Sequence, residues 1–134
     1  MNKFIPPIAL LAVGIYFLTQ ESDSVPSEIL TTWRTGTEHR MLTLYKGDSN
    51  NKLDGYFFNS KSGRLEGMVK STYDEGTLTG HWFQVKNKNK CATLKYGTFY
   101  WGQFQLNISE KDFKGKWSYC NKELGGSWNG RRYN

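Results

Sequence analysis

The chain is short of the residues that enzymes and metal centres depend on. It has two cysteines and two histidines in 134 residues. Neither Cys91 nor Cys120 sits in a Cys-x-x-Cys setting, which excludes the usual low-pKa redox thiol. Two lone cysteines without neighbouring histidines also make no zinc site. There is no Gly-x-Ser-x-Gly, no His-Glu-x-x-His and no glycine loop spaced to cradle phosphate. His81 lies between Gly80 and Trp82 with no carboxylate placed beside it, and His39 is flanked by Glu38 and Arg40. Both read as surface histidines, because a general base needs a substrate-facing position and a partner that orients it. Asp48, Asn50 and Asp54 have part of a calcium-loop spacing, but Lys52 stands where that loop needs oxygen, so a hairpin turn is expected. No metal, cofactor or catalytic residue is expected, and the chain is read as a binder rather than an enzyme.

Long apolar runs are scarce too. The one that exists, Phe4 to Leu18, follows Lys3, contains Pro6 and Pro7, and ends before Glu21 and Asp23. As a helix it would reach about 22 Å, short of the roughly 30 Å of a bilayer core. Residues 1–24 are therefore expected to be a signal peptide cleaved before Val25, or an uncleaved N-terminal membrane anchor with the body outside. Residues 25–134 are expected to form a single domain, periplasmic, secreted or tethered. In an oxidising compartment Cys91 and Cys120 are expected to pair as a structural disulfide.

Helical periodicity is missing beyond the N-terminal run, and what replaces it is a repeat. Leu, Phe or Trp, then any residue, then Gly recurs at Gly55, Gly67, Gly80, Gly115 and Gly130, with Trp101 directly before Gly102, often with an aromatic two residues on. Between turn-rich stretches the spacing predicts strands near 30–35, 39–47, 52–59, 64–72, 77–85, 96–108, 112–120 and 126–133. Eight strands with short turns form an up-and-down antiparallel meander, and closing it into a barrel removes exposed edges. Alternation sets Arg64, Glu66 and Lys70 against Leu65, Gly67 and Val69, and Lys114 and Lys116 against Phe113, Gly115 and Trp117. The glycines therefore point inward, while Tyr56, Phe58 and Phe83 fall outside. An inner glycine layer means either room for rings in a packed core or a cavity for one small ligand.

These Gly-x-Trp steps, with an early Trp33 and late Arg131 and Arg132, resemble the calycin superfamily of lipocalins, fatty-acid-binding proteins and avidins. The resemblance spans about residues 30–133 and implies a small barrel in which Trp33 packs with Arg131 or Arg132 as a closure clasp. Thr31 stands where lipocalins carry glycine, and the polar residues with which avidins hold biotin have no counterparts here. Biotin binding is not implied.

Two functional readings remain. The first is a carrier of a small apolar or aromatic guest, lined by Trp82, Phe104, Trp117 and Tyr119, with Lys88 or Lys90 near the mouth to meet an anionic group. The second is a protein-interaction or inhibitor-type module with a solid core, binding through exposed aromatics and basic loops. Residues 1–24 contribute Lys3, Glu21 and Asp23, so the +6 of the whole chain becomes +7 on residues 25–134. That charge serves solubility or favours acidic partners. Nucleic acid is not expected, given export and the absence of an aromatic pair on a charged face. Membrane contact is expected only through residues 1–24.

Overall fold

The computed structural model describes residues 25–36 and 39–133. The segment expected to be a leader or anchor, with its apolar helix, lies outside the described residues. Eight strands follow in chain order: β1 (Thr32–Thr35), β2 (Arg40–Lys46), β3 (Lys52–Asn59), β4 (Leu65–Asp74), β5 (Thr77–Gln84), β6 (Tyr100–Ile108), β7 (Asp112–Tyr119) and β8 (Gly126–Arg132). Each pairs antiparallel with the next, and β8 pairs with β1, so the sheet is a closed all-β barrel. No helix among the described residues is long and apolar enough to cross a membrane; the one helical element there is a 3-10 turn, Ser27–Ile29.

Closure gives the barrel two unlike ends. The β1–β2, β3–β4, β5–β6 and β7–β8 connections share one end, the loop pole. The other three turns and the two chain ends of the domain share the opposite end, the terminal pole. Turns at the terminal pole are tight. Asp74 pairs with Thr77 across Glu75 and Gly76, both at positive φ (45° and 88°), which is the primed turn that matches strand twist. The terminal pole is capped by residues 25–31. Ile29 is buried, Val25 and Leu30 pack against the core, and the Trp33 indole Nε1 donates to the Ile29 carbonyl at 3.2 Å.

The interior is packed by pairing large side chains with bare backbone. Gly67 faces Phe57, Gly102 faces Trp82, Gly115 faces Leu106, Gly126 faces Trp117 and Gly130 faces Phe113 in register. In each pair a β-carbon on the glycine would overlap the opposing side chain. Gly55 sits likewise between Leu44 and Val69, and Gly80 against Ser71 and the Lys70 carbonyl. The inner glycine layer is therefore room for rings. Trp33, Leu42, Leu44, Leu53, Leu78, Phe104, Leu106 and Phe113 fill the axis, each with at most 1% of its surface exposed. Burial of this kind contributes roughly 1.5–3 kcal/mol per large side chain.

Two expectations, one from alternation and one from strand spacing, need correction. Leu65 was expected inside with Gly67, yet it is 58% exposed. The β3–β4 register shifts between Phe57 and Phe58, so that Phe57 faces Gly67 while Phe58 faces Leu65, and Glu66 is the extra residue of a bulge. A bulge reverses the face of everything beyond it, which turns Leu65 outward. The sixth strand was expected from residue 96 but begins at Tyr100. Residues 91–99 leave the sheet: Cys91 is bridged to Cys120, with a Cα–Cα distance of 5.5 Å, and Lys95 pairs with Thr98 in a turn of its own.

Candidate functional site

Of the four expected lining residues, Trp82 and Phe104 belong to the core. Trp82 is buried and its Nε1 donates to the Ser118 carbonyl at 3.2 Å. Phe104 lies deep, its ring 5.3 Å edge-on to Trp128. Trp117 and Tyr119 are half-buried at the loop pole. They pack edge-on at 4.9 Å and meet Trp82 at 6.0 and 5.7 Å. Trp82, Trp117 and Tyr119 are thus brought together as a ring cluster under the mouth. Lys88 and Lys90 are exposed in the β5–β6 connection. Lys90 extends over the Phe99 ring at 5.0 Å, and the disulfide holds Lys90 and Tyr119, each one residue from a bridged cysteine, at the same end.

Trp33 and Arg132 stand directly opposite on β1 and β8. The contact differs from the expected clasp. The indole packs edge-on against Phe113 at 5.7 Å, while the Arg132 guanidinium donates through Nη1 to the Glu110 carbonyl at 3.3 Å. The cation held over a ring at this seam is Arg34, 5.2 Å from the centre of Tyr133.

The outer wall carries the more distinctive surface. Register places Thr43, Tyr56, Met68, Phe83 and Trp101 in one row across β2 to β6, with Phe58 opposite Leu65 nearer the loop pole. Tyr45, Tyr56 and Met68 each leave 37–40% of their surface exposed. Tyr56 lies 6.3 Å from Tyr45 and 5.7 Å from Phe58. These side chains form a continuous apolar band on the β2–β5 wall, in the half next to the loop pole except for Tyr45, which pairs with Asp54 on the side of the terminal pole. Tyr56, Phe58 and Phe83 were readable from alternation. Met68 shares parity with Glu66 and Lys70 and was equally readable, whereas Leu65 was hidden by the bulge.

A flap covers one end of the band. Lys95 and Thr98 exchange both backbone hydrogen bonds, at 2.9 and 3.0 Å, around Tyr96 and Gly97, both at positive φ. Tyr96 stacks on Phe83 at 4.9 Å, and its hydroxyl lies 3.4 Å from His81 Nδ1. Trp101 donates through Nε1 to the Thr93 carbonyl at 2.8 Å and retains 2% exposure, although it points outward. Lys95 stands over its ring at 5.3 Å. Burial under this flap, and secondarily the Lys95 charge, hold the His81 imidazole below its ordinary value of 6.5.

Beside the band, towards the terminal pole, runs a polar row. Asp54, Lys70, His81 and Gln103 are successive register partners across β3 to β6. They border an open groove of about 480 Å³. Lys70 Nζ lies 3.5 Å from Asp54 Oδ2, the one side-chain ion pair among the described residues.

Charge divides between the poles. The loop pole presents Arg40, Lys61, Arg64, Lys86, Lys88, Lys90 and Lys122, all exposed, against Glu66 and Glu123 among the described residues. At the terminal pole Lys46, Lys52, Lys111, Arg131 and Arg132 are balanced by Glu28, Asp48, Asp74, Glu75, Glu110 and Asp112. The positive surplus among the described residues is therefore gathered around the mouth and the adjoining band. Local sequence marked the Lys86–Lys90 run, but the gathering depends on which turns share an end.

Fold and surface together define a closed eight-stranded antiparallel barrel with a solid centre, an apolar band on its wall and a basic rim. No protein-family model, no curated protein and no solved structure matches the chain.

Proposed function

We propose that the protein is an exported binding module that engages an acidic partner protein through the outer wall of β2–β5 and the basic loops beside it. The observation that carries this is the apolar band of Tyr45, Tyr56, Phe58, Leu65 and Met68, next to cations that no described carboxylate neutralises. An apolar centre of aromatic rings and a methionine inside a charged rim is the anatomy of a protein interface. Contiguous exposed apolar surface of this kind marks interaction sites. The Cys91–Cys120 bridge supports export, since such bonds persist in oxidising compartments. The separation of charge between the poles favours approach of a negatively charged surface to the loop pole.

A photo-crosslinking residue at position 56 of the full chain, expressed in its native host, tests this directly. One acidic protein should be captured, and Tyr56→Ser with Met68→Ser should weaken its binding at least tenfold without lowering Tm. Capture of nothing, or binding indifferent both to these substitutions and to salt, would overturn the reading.

A second reading, a small aromatic or anionic guest at the mouth, is favoured by one observation: Trp117 and Tyr119 keep part of their rings open above Trp82. Quenching of Trp fluorescence by a ligand library, lost in Trp117→Leu, would support it. Ligands that leave the emission unchanged would remove it.

A further inference from the structure

The seam where β8 closes on β1 collects like charges that the fold itself leaves unanswered. Arg34 and Arg131 are direct register partners on the outer face of these strands. Like charges directly opposite on neighbouring strands oppose pairing. The β6–β7 turn adds Lys111, whose carbonyl accepts the Arg132 backbone N–H at 2.9 Å, which fixes the turn beside the seam. Glu110, Lys111, Arg131 and Arg132 line a depression of about 440 Å³ there.

Two carboxylates are close in sequence, and neither forms an ion pair with these cations. Asp112, opposite Arg131, has Ser109 Oγ at 3.4 Å from its Oδ1, and Glu110 offers its backbone carbonyl rather than its side chain to Arg132. The Arg132 Nε is buried and has no hydrogen-bond partner among the described residues. An unpaired buried donor costs free energy.

From this geometry we infer that the depression at the β1–β8 seam binds a phosphate group, with Lys111, Arg131 and the Arg132 guanidinium as its donors. Three cations line the depression with one carboxylate, Glu110, and Asp112 stands opposite Arg131 beside it. A tetrahedral anion offers several acceptor oxygens to planar guanidinium forks, the arrangement in which arginine binds phosphate most strongly. The group can come from free phosphate or from a lipid headgroup. The described residues begin at Val25 on this same pole, so residues 1–24, with their uncharged run from Phe4 to Leu18, enter the domain at that end. If that run serves as an anchor, the depression lies at the membrane surface.

The experiment uses the full chain and the double variant Lys111→Gln/Arg131→Gln, both positions exposed, with Arg132 kept. In one arm, inorganic phosphate is titrated at constant ionic strength while the Arg132 Nε–H resonance is followed. A saturable shift, weakened at least tenfold in the variant, is expected if free phosphate fills the site. In the other arm, partition is measured onto vesicles of phosphatidylcholine with and without phosphatidylglycerol. If a headgroup fills it, the variant loses roughly 25-fold on the anionic vesicles, about fivefold per cation, and nothing on the neutral ones. An unchanged resonance together with equal partition of both proteins overturns the proposal. It does so without bearing on the β2–β5 face, which lies on another side of the barrel.

Discussion

Phe57 and Gly67 are register partners on β3 and β4, and the phenyl ring occupies the place where a β-carbon at position 67 would stand. Gly67→Ala is therefore expected to destabilise by about 1–3 kcal/mol through overpacking. Gly102→Ala should cost at least as much, because its β-carbon would also overlap the Ser118 backbone carbonyl, which cannot rotate away. Gly125→Ala is the control, since its nearest neighbour would be the Glu123 carbonyl at 3.9 Å. Urea unfolding of the three variants checks this; equal midpoints would mean the interior is looser than described.

Trp33 has no exposed surface and joins the cap of the terminal pole to the core. Trp33→Ala should lower stability by about 3–5 kcal/mol. Trp33→Phe keeps most of the packing and loses the hydrogen bond to Ile29, for about 1 kcal/mol plus the packing change. A loss below 1 kcal/mol for the alanine variant in thermal unfolding would contradict a core role.

The Cys91–Cys120 bridge closes a loop of 29 residues and pins the flap. Replacing both cysteines by serine should lower stability by roughly 3–4 kcal/mol on the chain-entropy model. The eight strands should persist, as judged by far-UV circular dichroism. Hydrogen exchange should accelerate at Lys95 and Thr98, whose amides are bonded within the flap. Unchanged protection there would show that Tyr96 and Trp101 hold the flap without the covalent link.

His81 gives a pH dependence whose sign is fixed by its lowered pKa. The unfolded imidazole takes up its proton at a higher pH than the folded one, so unfolding gains protons between the two values. Stability should be full above about 6.5 and fall as pH drops through the window down to the folded value, then level off. His81→Gln should remove that slope. A titration by NMR that finds His81 protonating above 6.5 would reverse the argument.

Much of the architecture could be read from residue order, because turn chemistry and alternation are local. The inward glycines, and the outward Tyr56, Phe58 and Phe83, follow from period two alone. Leu65 could not be placed, since a bulge is a relation between two strands and leaves no mark in one. Residues 96–99 have strand-like character but turn back in a pairing of Lys95 with Thr98 and stack Tyr96 on Phe83, contacts that local spacing does not reveal. The candidate binding face was legible only in fragments. Met68 and the lysines of the β5–β6 connection could be seen singly, yet that Lys61, Lys88 and Lys122 share an end emerges only when the meander closes.

Seven of the eight strand pairings join consecutive strands, and the last joins the two ends of the domain. The local hairpins can form while the chain is still emerging from the ribosome, but β1 waits for Gly130 and Arg132 before its free edge is covered. A nascent or prematurely terminated product therefore shows two open edges, β1 and β7, each able to recruit a strand from another copy. Truncation by even the final seven or eight residues should yield entangled oligomers rather than a weakened monomer.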